Sequence, residues 1–115
     1  MEFNETAEVK FEFSFNNEYS DERGFEYPTK IPVIKPKDRF KPICNCDAEA
    51  VTLFFGWNSP FKETQIHLER KGNIFQGDLE VLSDAPNGKY KYFVAIFKNG
   101  KIIIDDPEVI IRRNY

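Results

Sequence analysis

Turn signals divide this sequence into short segments that have the side-chain pattern of β-strands. From Val9 to Phe15, apolar and polar residues alternate strictly, which is typical of a half-buried antiparallel strand. Asn99-Gly100 stands at the centre of a two-residue hairpin turn between two apolar segments. Apolar residues nowhere hold a helical spacing for three turns, and aromatic residues, which favour strands, make up 16% of the chain. The sequence therefore predicts an all-β fold, an immunoglobulin-like β-sandwich of about seven to eight antiparallel strands.

The longest strand is expected from Tyr90 to Phe97, directly after a turn at Gly88. A tyrosine at the head of such a strand is typical of a tyrosine corner, in which the hydroxyl bonds back to the backbone upstream. We assign this role to Tyr90 and expect Tyr92 in the core. The segment from Ala50 to Phe55 shows little alternation, so its strand is expected to be buried on both faces.

A chain of 115 residues has the length of one domain. We expect a single β-sandwich over residues 1–115, divided into a first strand with an acidic N-terminal segment (1–27), a connector rich in Pro and Lys (28–48) and a core (49–115). The acidic part is pronounced, since residues 1–26 carry a net charge of -6.

The connector has the opposite charge, because residues 29–42 carry a net charge of +4. Four prolines favour an extended backbone here, and large apolar residues predict that residues 28–42 lie along the body of the domain. The residues expected to hold the connector in place are Ile31, Val33, Ile34 and Phe40. The alternative is an exposed basic arm that binds a ligand.

Composition excludes several classes of function. The net charge of -3 argues against sequence-independent binding to nucleic acid or to anionic lipid. The longest apolar run, from Tyr92 to Phe97, is too short to span a membrane. The first residues lack the pattern of a secretory signal, so a secreted precursor is not expected and the cytoplasm is the predicted location.

Catalytic and metal-binding patterns are also missing from the sequence. Cys44 and Cys46 are expected to be two reduced thiols, because the chain has one histidine, His67, and zinc requires four ligands. His67 is expected on the solvent side of a strand. No Ser-His or Cys-His pairing, phosphate-binding loop or metal cluster is evident, so the chain is predicted to have no catalytic residues and no cofactor.

An ordered series of short motifs covers about half the chain. In chain order the motifs are Val51-Thr52-Leu53, Gly56-Trp57-Asn58, Ile74-Phe75-Gln76-Gly77-Asp78-Leu79, Gly88-Lys89-Tyr90-Lys91-Tyr92-Phe93-Val94, Asn99-Gly100 and Asp106-Pro107. This series resembles the glycogen-binding domain of the AMP-activated protein kinase beta subunit. It is also similar to other family 48 carbohydrate-binding modules, which are sandwiches of the early-set type.

The resemblance implies a non-catalytic module that tethers a partner to an α-glucan such as glycogen or starch. That family binds sugar with two tryptophans and a lysine, and Lys91 matches the lysine. The resemblance places Phe61 near the first tryptophan and Ile102 at the second, while Trp57 aligns with an aromatic residue that is usually buried. The residues expected to bind the ligand are Lys91, Phe93, Phe61, Trp57 and Asn58, with Trp57 alternatively filling the core.

Two functions therefore stay open, and one face of the long strand bears on both. Lys91, Phe93, Ala95 and Phe97 alternate onto that face, which is either covered by the connector or free to contact a partner. The first function is the carbohydrate-binding module, and the alternative is an immunoglobulin-like domain for protein interaction or scaffolding that does not bind sugar.

Overall fold

The computed structural model describes residues 7–113, so the first six residues of the predicted acidic segment lie outside the described part of the chain. Within that part the chain is almost entirely β, with one 3-10 helix at Glu22–Gly24 and no α-helix. The strands are β1 (Glu8–Phe15), β2 (Phe25–Glu26), β3 (Val33–Ile34), β4 (Arg39–Asn45), β5 (Ala50–Phe54), β6 (Gln65–His67), β7 (Glu69–Lys71), β8 (Ile74–Gln76), β9 (Leu79–Glu80), β10 (Gly88–Lys91), β11 (Phe93–Lys98), β12 (Lys101–Asp105) and β13 (Glu108–Ile111). The predicted all-β sandwich is confirmed, although the described residues form thirteen strands, several only two or three residues long, where seven to eight were expected.

The strands form three sheets that are mostly antiparallel. The largest has the order β2-β1-β4-β8-β7, with β9 also paired to β4, and the second has the order β12-β11-β5-β6. A small third sheet has the order β10-β13-β3. The chain crosses from the second sheet to the first between β6 and β7 at Leu68, which is buried and donates its amide to the carbonyl of Val51.

The alternation in the first strand is confirmed, but its main partner differs from the prediction. Phe11, Phe13 and Phe15 point into the core and are at most 4% exposed. β1 pairs antiparallel with the short β2 but runs parallel to β4 along nearly its whole length. Alternation reports that one face is buried and carries no information on strand direction, so the antiparallel assignment was wrong for this pairing.

The predicted connector is extended, but part of it lies inside a sheet. β4 is a central strand, because β1 lies on one side of it and β8 and β9 on the other. Its basic residues are paired with acids of neighbouring strands: Lys41 lies 3.0 Å from Glu8 and Arg39 lies 2.7 Å from Asp78. These contacts exclude the alternative of an exposed basic arm for this part of the connector.

Pro42 occupies the middle of β4, a position where proline removes a hydrogen-bond donor. Its carbonyl accepts a hydrogen bond from the amide of Gly77 at 3.0 Å. Gly77 lies between β8 and β9, where the neighbouring strand is interrupted. The missing donor therefore faces a break in the partner strand, and this explains how a central strand accommodates proline.

Two local predictions are confirmed. Asn99 and Gly100 have φ values of 51° and 74°, and the residues that flank them, Lys98 and Lys101, pair with each other. Both central residues of a two-residue turn need positive φ for the strands to twist correctly, which is why Asn-Gly is found there. Tyr90 forms the tyrosine corner, since its hydroxyl donates a 2.6 Å hydrogen bond to the carbonyl of Pro86.

Tyr90→Phe removes this bond and is expected to lower the free energy of unfolding by about 0.5–1.5 kcal/mol, the usual net value of one hydrogen bond. Tyr92→Phe is the matched control, because Tyr92 is 1% exposed and its hydroxyl has no hydrogen-bond partner among residues 7–113. Removal of that buried hydroxyl is expected to be neutral or stabilising. Urea titration measures both changes, and an equal loss in the two variants would contradict the assigned tyrosine corner.

Candidate functional site

One face of the sheet β12-β11-β5-β6 points away from the core and is strongly apolar. We call this surface the outer face; its apolar side chains are Phe54, Phe93, Phe97, Ile102 and Ile104. Phe93 is 55% exposed, and Ile102 and Ile104 are 60% and 52% exposed. The register places Phe54 opposite Phe93 and Ile102 opposite Phe97, so these four residues lie on the same side of the sheet.

The outer face is exposed because the opposite face of the same strands forms the core. Val94, Ile96 and Leu53 are fully buried on the inner side. On the outer side, the small residues Ala95 and Thr52 lie opposite each other and are only 1% exposed. Their burial confirms that the middle of β5 is buried on both faces.

The predicted connector does not cover the outer face. Its strands β3 and β4 belong to the other two sheets, and Phe93, Ile102 and Ile104 stay exposed beside one another. The prediction that the connector covers this face was therefore wrong. His67, at the edge of the same sheet, is exposed as predicted, and its Nδ1 lies 2.7 Å from the hydroxyl of Thr52.

Trp57 and Phe61, which were both expected to bind the ligand, lie in different environments. Trp57 is 95% exposed, whereas Phe61 is 2% exposed and contacts Phe40 and Phe55 with ring-centroid distances of 5.4 and 4.8 Å. Gly56 has φ of 78°, so the chain turns sharply after β5 and Trp57 leaves the sandwich. Trp57 is thus not a core residue, and Phe61 is not available to a ligand.

The hydroxyl of Ser59 holds the turn in this arrangement. It accepts a hydrogen bond from the amide of Phe61 at 3.0 Å and donates one to the carbonyl of Glu63 at 2.7 Å. These two bonds tighten the loop between Trp57 and Phe61 and direct the phenylalanine inward. Asn58, which follows Trp57, is exposed.

Four of the five predicted ligand-binding residues are exposed: Lys91, Phe93, Trp57 and Asn58. Lys91 and Phe93 are both exposed and stand two residues apart, Lys91 at the end of β10 in the third sheet and Phe93 at the start of β11. β5 ends at Phe54 beside Phe93, so the turn that carries Trp57 and Asn58 begins at the end of the sheet where β11 starts. Phe61, in the core, is the residue that does not join them.

Phe54 is a further aromatic residue of this region that the sequence did not identify. It is half-buried, and its ring lies on the outer face only because β5 pairs with β11 in this register. The continuous apolar segment around it gave no signal for which side chains point outward.

A shallow depression of about 290 Å³ lies beside Phe93. Phe93 and Ile104 form its apolar part, and the carboxylates of Glu22, Asp105 and Asp106 complete the lining. Asp106 also pairs with Lys91, whose Nζ lies 3.5 Å from its Oδ2. Both side chains are at least half exposed, so solvent screens this pair and its main effect is to orient the lysine.

Among residues 7–113, no three His, Cys, Asp or Glu side chains come together as ligands for a metal ion. Cys44 and Cys46 are free thiols whose sulfur atoms are 3.5 Å apart. Donation of a hydrogen bond to Cys46, together with burial, raises the pKa of the Cys44 thiol. No helix in the described part of the chain is long and apolar enough to cross a membrane.

No protein-family model matches the chain, and a search of curated proteins finds no significant match. The resemblance to family 48 carbohydrate-binding modules therefore rests on the motifs quoted above.

The different positions of Phe61 and Trp57 predict different effects on stability. Phe61→Ala leaves a cavity among aromatic rings and is expected to cost about 3–5 kcal/mol of unfolding free energy. Trp57→Ala removes an exposed ring and should change that free energy by no more than about 0.5 kcal/mol. Denaturant unfolding followed by circular dichroism compares the two, and a larger loss for Trp57→Ala would contradict their placement.

Proposed function

We propose that this domain is a non-catalytic carbohydrate-binding module that holds a partner on an α-glucan of the glycogen or starch type. The observation that carries the proposal is the 95% exposure of Trp57, which follows Phe54 by three residues at the end of β5 where Phe54 pairs with Phe93. A flat aromatic ring is the group that packs against the C–H face of a glucose unit, and it is costly to leave in water without a ligand.

The surroundings of Trp57 supply the remaining chemistry that a sugar requires. Phe93 offers a second ring, and the carboxylates beside it are acceptors for sugar hydroxyls. Lys91, oriented by Asp106 of the same depression, is a donor beside it. An open surface of this kind favours weak binding, with a dissociation constant near the millimolar range, or about 4–5 kcal/mol.

The proposal assigns no reaction to the domain and places it in the cytoplasm, where its two free thiols would remain reduced. Its role would be to bring an attached or associated protein to the glucan. Ile102, at the position of the family's second tryptophan, offers no ring for stacking, which favours the weak end of the affinity range.

Trp57→Ala is expected to abolish binding to glycogen and amylose without unfolding the domain, and Lys91→Ala is expected to weaken it. Native-gel mobility with and without the glucan in the gel measures the retention. Lys71→Ala is the matched control for Lys91→Ala, because it removes an exposed lysine on β7, which belongs to a different sheet. Wild-type protein that is not retarded at any glucan concentration would contradict the proposal.

Fluorescence offers a direct second measurement, because Trp57 is the only tryptophan in the chain. Its emission should be that of a solvated indole in the free protein. Addition of glucan should shift the emission to shorter wavelength as the ring leaves water. A shift of equal size in Lys91→Ala at saturation would show that the lysine affects affinity and leaves the stacking unchanged.

A second candidate function is protein interaction through the aliphatic half of the outer face. Ile102 and Ile104 are more than half exposed, and branched aliphatic side chains pack against protein more readily than against sugar. Ile102→Ser would then remove a protein partner in a pull-down and leave glucan retention intact, because Ile102 does not line the depression beside Phe93. Trp57→Ala would have the reverse effect.

A further inference from the structure

β12 is an edge strand whose outer side has no backbone pairing among the described residues. It pairs with β11 on one side, and no other strand pairs with it in the part of the chain that the structure describes. Its sequence is Lys101-Ile102-Ile103-Ile104-Asp105, with no proline or glycine to prevent further pairing. Such an edge is a template for another strand.

The hairpin register shows which backbone groups are free. Residues that flank a two-residue turn form a hydrogen-bonded pair, so Lys101 bonds to Lys98 and the bonded pairs then alternate along the strands. Ile103 and Asp105 therefore bond to β11, whereas the N–H and C=O of Ile102 and Ile104 face away from it. Within residues 7–113, no hydrogen bond reaches these four groups.

We propose that the protein forms a symmetric dimer in which β12 pairs antiparallel with β12 of a second copy, with the two-fold axis beside Ile103. In this register Ile102 of one copy lies opposite Ile104 of the other. Each such pair exchanges two hydrogen bonds, so the two pairs satisfy all four free groups. The two sheets β12-β11-β5-β6 become one continuous sheet, and the interface is of the self-complementary kind that two-fold symmetry requires.

Charge complementarity selects a second copy of this chain as the partner. Lys101 and Asp105 are each two residues from Ile103, so the two-fold axis places Lys101 of each copy opposite Asp105 of the other. Opposite charges directly across an antiparallel pair are stabilising, and here the pair occurs twice. Lys101 is exposed and makes no ion pair with any residue from 7 to 113, so it is available for this contact.

The apolar residues of the strand favour the same arrangement. Ile102 and Ile104 are 60% and 52% exposed. In the dimer, Ile102 of each copy would pack against Ile104 of the other copy. The 3-10 helix Glu22–Gly24 lies near the Asp105 end but donates no backbone hydrogen bond to the strand.

The other edges of the sheets are less suited to such pairing. β2 and β3 have only two residues each, β6 is Gln-Ile-His, β7 is Glu-Arg-Lys and β10 is Gly-Lys-Tyr-Lys. Short strands and charged side chains are the usual means by which proteins keep an edge unpaired. β12 is thus the edge strand with the longest free apolar segment in the described chain.

Charge reversal tests the register directly and does not depend on glucan binding. Lys101→Glu places a second carboxylate against Asp105 of the other copy, and Asp105→Lys places two lysines together, so each variant alone should be monomeric. An equal mixture of the two restores both opposite-charge pairs and should dimerise. Sedimentation velocity over a concentration series measures this, with Lys71→Glu as the control for a charge change on another strand.

For Lys101→Glu we expect the dimer dissociation constant to rise by roughly tenfold or more, since two attractive pairs become repulsive. The monomer should not be destabilised, because Lys101 faces Lys98 across the hairpin and the change removes a repulsion. If Asp105→Lys does not fold, Asp105→Asn takes its place, and its mixture with Lys101→Glu should associate more tightly than Lys101→Glu alone, because the repulsion between carboxylates is relieved.

Hydrogen exchange provides a second readout at the level of single amides. The Ile102 and Ile104 amides should become protected as protein concentration rises, whereas the Ile103 amide should be protected at all concentrations. A wild-type chain that remains monomeric up to roughly millimolar concentration would overturn the proposal. So would a dimer that persists in Lys101→Glu, or single variants whose mixture does not associate.

Discussion

The structure depends on a cluster of four aromatic rings that joins the sheets. Phe40 stacks on Phe61 and meets Tyr92 edge-on, while Phe55 contacts both Phe61 and Tyr92 at centroid distances of 4.8 and 5.0 Å. Phe40 belongs to β4, Phe55 follows β5, and Tyr92 lies between β10 and β11. Because aromatic pairs add packing energy to a large buried area, these contacts fix the positions of strands that are far apart in sequence.

The exposure of Trp57 is a consequence of this cluster. Phe55 and Phe61 both turn inward, so the loop between them has to pass outside the sandwich, and Gly56 supplies the left-handed turn that this path needs. The aromatic core therefore determines where the exposed ring lies. One short loop therefore contributes both to the stability of the domain and to the candidate binding surface. Phe55 and Phe61 serve the first role and Trp57 serves the second.

Features that depend on neighbouring residues could be predicted from the sequence, and features that depend on distant partners could not. The Asn99-Gly100 turn and the Tyr90 corner involve residues at most four positions apart, and both are confirmed. The inward position of Phe61 depends on the ring of Phe40 in β4, a residue that the sequence analysis assigned only to the connector. The parallel pairing of β4 with β1 joins strands that are more than twenty residues apart in the chain. The candidate site shows the same division, because Phe54 lies beside Phe93 only through the register between β5 and β11. Likewise, the edge position of β12 becomes apparent only from the complete sheet order.

The two proposals have a common geometric consequence. Antiparallel pairing about an axis perpendicular to a sheet keeps the outer faces of both copies on the same side. Two surfaces bearing Trp57 and Phe93 would then face one direction. A glucan is a repeating polymer, so a dimer that engages it at both surfaces gains effective concentration, and avidity can exceed the affinity of one site by ~10²–10⁴. Weak binding by a single open surface would then be compatible with firm attachment.

Lys101→Glu would weaken retention on long α-glucan and leave binding to a short oligosaccharide unchanged, since a short ligand occupies only one surface.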